Sequence, residues 1–125
     1  MDDAADPMLT EITSRRIGDA AVVGVCGECD VAVVPELRSV LAAELESRPA
    51  VLVVDLSETT FVDSTCLGAI VATFRKAQES GFVLRVVADA YDVRQPFEIT
   101  GLGRVLTLHR SLDEALGVAE PSRAE

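Results

Sequence analysis

The run Val51–Gly68, V-L-V-V-D-L-S-E-T-T-F-V-D-S-T-C-L-G, leads from an apolar stretch through an Asp-Ser pair into a helical repeat. Two kinds of chemistry are open to Ser64 there. Its hydroxyl can cap the unpaired N–H groups of a helix N-terminus, or it can accept a phosphoryl group whose charge meets the positive end of the helix dipole. On local chemistry alone capping is the simpler use. Thr65 is a second hydroxyl, read first as a first-turn residue. Cys26-Gly27-Glu28-Cys29 is a C-x-x-C between an expected strand and an expected helix, where a thioredoxin-type dithiol would lie. No Trp precedes its first cysteine, and Pro35 and Pro49 are too near to act as the later cis-proline of such a site. A thiol oxidoreductase therefore ranks below the reading in which both cysteines pack as small hydrophobes.

Zinc would need four ligands, and its sulfur or nitrogen candidates are Cys26, Cys29, Cys66 and His109. These are scattered without a second C-x-x-C, so no metal is expected, and His109 reads as a strand-end residue. Gly101-x-Gly103 lacks the further glycine and the lysine of a phosphate loop, so no nucleotide or other cofactor is expected. Asp55 and Asp63 invite comparison with paired carboxylates for acid–base work. An aspartate near the end of a buried strand is instead expected to accept hydrogen bonds from loop N–H groups.

The elements that must position these residues follow from periodicity. Loose alternation over Leu9–Ile17, the turn signal Gly18-Asp19 and the β-branched run Ala20–Val25 predict a hairpin, or a short edge strand feeding a buried strand that ends before Gly27. Pro35 suits the first turn of a helix in which Leu37, Val40, Leu41 and Leu45 recur up to Arg48-Pro49. Val51–Leu56 reads as a central strand covered on both faces, and Ser57–Phe61 as a connection. Leu67, Ile70, Val71, Phe74 and Ala77, with Gly81 as a left-handed stop, predict a helix over 65–80, which puts Ser64 at or next to its N-terminus. Phe82–Val87 is a further strand, and a shorter helix ends near Thr100-Gly101, with Pro96 in its first turn or kinking it. Val105–His109 is a last strand, and Ser111 with Glu114 forms a capping box opening a terminal helix that carries Leu112, Ala115 and Leu116.

Strands alternating with helices after a hairpin predict an α/β domain with a mixed or mostly parallel sheet. With 125 residues, 49% of them hydrophobic and 26% charged, the chain suits one folded domain rather than a disordered or fibrous protein. Eleven Lys and Arg against 21 Asp and Glu give a net charge of -10, which argues against a phosphate-backbone binder, so nucleic acid is not an expected partner. No apolar run approaches the roughly 18–20 residues of a membrane span, and Met1–Met8 is acidic where a secretory signal is basic, which predicts a cytoplasmic protein without membrane insertion. Three cysteines, an odd number without an export signal, predict reduced thiols.

The chain resembles the STAS-domain family, in particular its bacterial anti-sigma-factor antagonists, over residues 8–118. Val51–Gly68 is similar to the family's signature strand, loop and helix start. Gly27-Glu28-Cys29-Asp30 resembles its G-E-L-D turn, Thr100-Gly101-Leu102 its T-G-L, and the last strand with Ser111–Leu116 its C-terminal helix. The resemblance implies a single STAS-like domain between flexible tails 1–7 and 119–125, with a mixed, mostly parallel sheet of about five strands and four helices. It also implies a partner switch. In similar proteins the serine after the loop aspartate, here Ser64, is phosphorylated by a partner that is both anti-sigma factor and serine kinase, and a serine phosphatase reverses the step.

The unphosphorylated domain then binds the anti-sigma factor and frees a sigma factor; the domain is a substrate and not an enzyme. Asp30, Asp63, Ser64, Thr65 and Cys66 are the implied partner-binding residues. Cys66 departs from the family's glycine, so a side chain fills space that glycine leaves open, and Cys29 stands in place of a leucine. The alternative within the family is a STAS domain bound constitutively in a transport or sensor complex.

Overall fold

The computed structural model describes residues 10–117, and the expected tails 1–7 and 119–125 lie outside the described residues. Strands β1 (Glu11–Ile17) and β2 (Ala20–Cys29) form an antiparallel hairpin. Its two-residue turn needs a left-handed backbone, which Gly18 supplies at φ 60°. The chain continues through α1 (Val34–Glu46), β3 (Val51–Asp55), β4 (Thr59–Val62), α2 (Ser64–Glu79), β5 (Val83–Val87), α3 (Tyr91–Ile99), α4 (Leu102–Val105), β6 (Thr107–His109) and α5 (Leu112–Ala115). The sheet order is β1-β2-β3-β5-β6, parallel from β2 onward, with β4 parallel to the end of β2. The described residues thus form a mixed, mostly parallel sheet of six strands with five helices, one of each more than expected.

The unbroken apolar run of β3 follows from coverage of both faces. Ala21, Val23, Leu52, Val54, Leu84 and Val86 alternate into the larger core, where Leu37 and Leu41 of α1, Ile70 of α2 and Phe97 of α3 are buried with them. Val22, Val53 and Val87 point the other way, into a smaller cluster with Ala115, packed alongside Leu112 and Leu116. Arg85 Nη1 donates to the Ala115 carbonyl at 2.6 Å and ties α5 across that face. Parallel strands need such cover on both sides.

The Ser57–Phe61 segment, expected as a connection, enters β4. Thr59 is buried there because its hydroxyl donates to the Val25 carbonyl at 2.6 Å. β2 does not stop before Gly27. Gly27, at φ 107°, marks a bulge after which Glu28 pairs with Phe61 and Cys29 with Val62. One strand therefore serves β3 with its first half and β4 with its last residues.

Pro96 lies inside α3 rather than in its first turn. The carbonyl its missing N–H would have engaged is that of Asp92, at the exposed start of the helix. Val105 ends α4 and does not open the last strand. Ser111 Oγ accepts the Glu114 N–H at 3.1 Å as a capping box requires, while Glu114 reaches one residue further back, to the Arg110 N–H at 2.9 Å. Among the described residues no helix is long and apolar enough to cross a membrane.

Phe97 is the largest fully buried side chain, so Phe97→Ala is expected to lower the unfolding free energy by about 3–5 kcal/mol, read from urea titrations with unchanged slope. A loss below about 1 kcal/mol would show that α3 does not anchor the core.

Candidate functional site

β2 and β4 end side by side, and α2 starts directly beyond β4. The Asp63 N–H donates to the Cys29 carbonyl at 3.1 Å, which extends the β2–β4 ladder one step and fixes where the helix begins. Asp63 is the N-cap of α2, with extended backbone (φ -100°, ψ 179°). Its Oδ1 accepts from the Thr65 N–H at 3.0 Å, the Cys66 N–H at 3.1 Å and the Thr65 hydroxyl at 2.6 Å. These bonds satisfy N–H groups that a helix start otherwise leaves unpaired. Burial alone pushes the Asp63 carboxyl up, but hydrogen bonds from the Thr65 hydroxyl and from the backbone N–H groups of Cys66, Thr65 and Val31 outweigh it and hold the carboxyl below its ordinary value.

With Asp63 as the cap, Ser64 does not have that role. It is the first residue of α2 and is exposed, and no described group hydrogen-bonds its hydroxyl. The Thr65 hydroxyl is already committed to Asp63. Of the two possible acceptors, Ser64 is the one presented free.

Asp30 shapes the facing loop. Its Oδ1 accepts the Ala32 N–H at 3.0 Å and its carbonyl accepts the Val33 N–H at 3.0 Å, a turn that leads into α1. Val31, inside that turn, is 65% exposed, and Phe61 on β4, two residues before Asp63, is 48% exposed. Both belong to the segments that lead into α1 and α2. The sequence reading missed both. Their signal was an apolar residue in a segment assigned to a turn or connection, where no core periodicity claims it.

The five expected partner residues separate into two groups. Asp30 and Asp63 are partly exposed and Ser64 and Thr65 exposed, whereas Cys66 is fully buried. Cys66 is bonded to Cys29 as a disulfide with Cα atoms 6.2 Å apart. Cys66 is therefore not a surface contact, and Cys29 and Cys66 are not the reduced thiols expected. Cys26 is free and exposed, so Cys26 and Cys29 form no dithiol pair, and Cys26 does not pack as a small hydrophobe.

Asp55 Oδ1 accepts the Ser57 N–H at 3.0 Å, so Asp55 and Asp63 each hold their own turn. His109, at the end of β6, has Nδ1 3.5 Å from Glu114 Oε1. Among the described residues no cluster of three or more His, Cys, Asp or Glu is arranged to hold a metal ion.

Residues 11–115 match the family model of the STAS domain. The chain belongs to the STAS domain family. The family resemblance carried by the motifs at 27–30, 51–68 and 100–102 is thereby upheld. This STAS domain is 33% identical over 96 residues to the anti-sigma-B factor antagonist of Listeria monocytogenes, covering 75% of this chain and 82% of that one. It is 35% identical over 80 residues to the anti-sigma-B factor antagonist of Staphylococcus aureus, covering 64% and 74% of the two chains. A crystal structure of an anti-sigma factor antagonist from Mycobacterium paratuberculosis matches with a TM-score of 0.84 at 31% identity, over 90% of this STAS domain and 96% of that chain.

The depressed Asp63 carboxyl sets a pH dependence. The ionised cap contributes its full stability above the ordinary carboxylate pKa of about 3.9 and loses it as pH falls through the lower folded-state value. Asp63→Ala is expected to cost about 1 kcal/mol at neutral pH in denaturant titrations. The gap between variant and wild type should close as pH drops below about 3.9, and a gap that stays constant with pH would contradict an ionised cap.

Proposed function

We propose that this STAS domain is an anti-sigma-factor antagonist that works by partner switching. Unphosphorylated, it docks on an anti-sigma factor through the face around Ser64 and frees a sigma factor. The anti-sigma factor's own serine kinase activity then phosphorylates Ser64 and ends the complex, and a serine phosphatase restores it. The domain acts in the cytoplasm as a substrate and binding partner, not as a catalyst.

The observation that carries this reading is the exposed Ser64 hydroxyl at the first position of α2, left free because Asp63 does the capping, with Val31 and Phe61 exposed nearby. The names of the Listeria, Staphylococcus and Mycobacterium relatives support the partner class.

Electrostatics supplies the switch. A phosphoserine carries about -1.5 to -2 charges at pH 7, and here it would lie beside the ionised Asp63. In the free domain the helix N-terminus returns about 0.3–1 kcal/mol, so the modification leaves the fold nearly unaffected. In a docked interface a buried charge without a matching cation costs several kcal/mol, and each ~1.4 kcal/mol is tenfold in affinity. The net charge of -10 also favours encounter with a basic face on the partner, an attraction that salt weakens.

Ser64→Asp is expected to weaken binding to the anti-sigma factor by about tenfold or more in a calorimetric titration, while Ser64→Ala keeps wild-type affinity and takes up no phosphate from the kinase and ATP. Equal affinities for Ser64→Asp and wild type would favour a constitutive module of a transport or sensor complex.

A further inference from the structure

We propose that Cys29 and Cys66 form a reversible thiol/disulfide switch beneath the docking face, a redox modification site that sets how firmly the start of α2 is held. The idea rests on the reading of Ser64 above. The bond joins the two chain segments that carry the docking residues: Cys29 is the last residue of β2 and precedes Asp30, and Cys66 is the third residue of α2, two beyond Ser64. Alongside it run the Asp63 N–H to Cys29 carbonyl bond at 3.1 Å and an approach of Cys66 Sγ to the Asp30 carbonyl at 3.8 Å. Both cysteines are fully buried, yet Val31 and Ala32 after one and Ser64 and Thr65 before the other are exposed.

Opening the bond leaves two thiols in a close-packed pocket, where they require van der Waals separation instead of bonding distance. Packed interiors do not absorb such a change without movement. Cys29 is held in the β2–β4 ladder opposite Val62, whereas the first turn of α2 depends on the Asp63 side chain for its N–H partners. The movement therefore falls on the first turn of α2, the turn that presents Ser64, and this is also where local opening admits a reagent.

The chemistry is exchange with a low-molecular-weight disulfide. One cysteine thiolate attacks a sulfur of the small disulfide, forming a mixed disulfide and expelling one thiolate. The other cysteine thiolate attacks the protein-side sulfur and expels the second. The two cysteines lose two electrons and the small disulfide gains them, and the two protons pass to the two released thiols. Excess small thiol drives the reverse.

The test uses the full chain carrying Cys26→Ser, which removes the exposed thiol that would link copies. It is equilibrated in graded ratios of reduced and oxidised glutathione, the thiols are mapped by alkylation and mass spectrometry, and amide hydrogen exchange is followed in each state. The expected result is reversible Cys29–Cys66 pairing in the folded domain, with exchange at residues 65–67 about tenfold faster or more when reduced and residues 52–54 changed by less than about twofold. The proposal is overturned by cysteines that do not pair, by a bond that yields only when the whole domain unfolds, or by pairing that leaves exchange at 65–67 within about twofold. None of these readouts needs a partner. Failure of the Ser64→Asp titration would instead strike the anti-sigma reading.

Discussion

A helix that begins at the edge of a sheet exposes N–H groups that nothing in its own ladder can satisfy. In this domain the Asp63 carboxylate takes that load, bonding the backbone of Thr65 and Cys66 and the hydroxyl of Thr65 through one oxygen. The rest of the site follows from this. Thr65 is locked by its hydroxyl, Cys66 is turned inward, and Ser64 is left facing outward with no structural duty. The same carboxylate keeps a negative charge beside the serine, where the proposed phosphate would add a second.

The geometry around that carboxylate depends on a change of partner within one strand. Up to Gly24, β2 is bonded to β3; from Gly27 on it is bonded to β4, with a bulge between Gly27 and Glu28. β3 ends at Asp55 opposite Gly24, so the later residues of β2 are left to pair with β4. Gly27, at φ 107°, stands where β2 takes up β4. The proposed docking face lies at the carboxyl ends of the parallel strands, the usual place for function in an open α/β sheet.

What was legible in the sequence was local. The strand at 51–56, the helix after Ser64 and the stop at Gly81 each follow from a period or a turn residue, and the structure has β3, α2 and a left-handed Gly81 there. What was hidden depends on pairing between distant segments. β4 is only four residues long, too short to show a period, and its partner, the end of β2, makes it a strand and buries Thr59. Cys29 and Cys66 are 37 residues apart, and no spacing rule joins them; the β2–β4 ladder does. Val31 and Phe61 were invisible for a related reason, since exposure of an apolar residue is known only once the core is complete without it.

The separation of duties between Asp63 and Ser64 has a consequence for the life of the protein in a cell. A switch whose acceptor also holds its scaffold together risks partial unfolding each time it is thrown, and unfolded chains are removed by proteases. With Asp63 as the cap, the proposed tag on Ser64 would leave the scaffold's own hydrogen bonds in place, so tagged and untagged chains should persist equally long. Under the proposed partner switch, the free energy of the phosphate would go into choosing between partners, and the signal could cycle many times on one molecule without fresh synthesis.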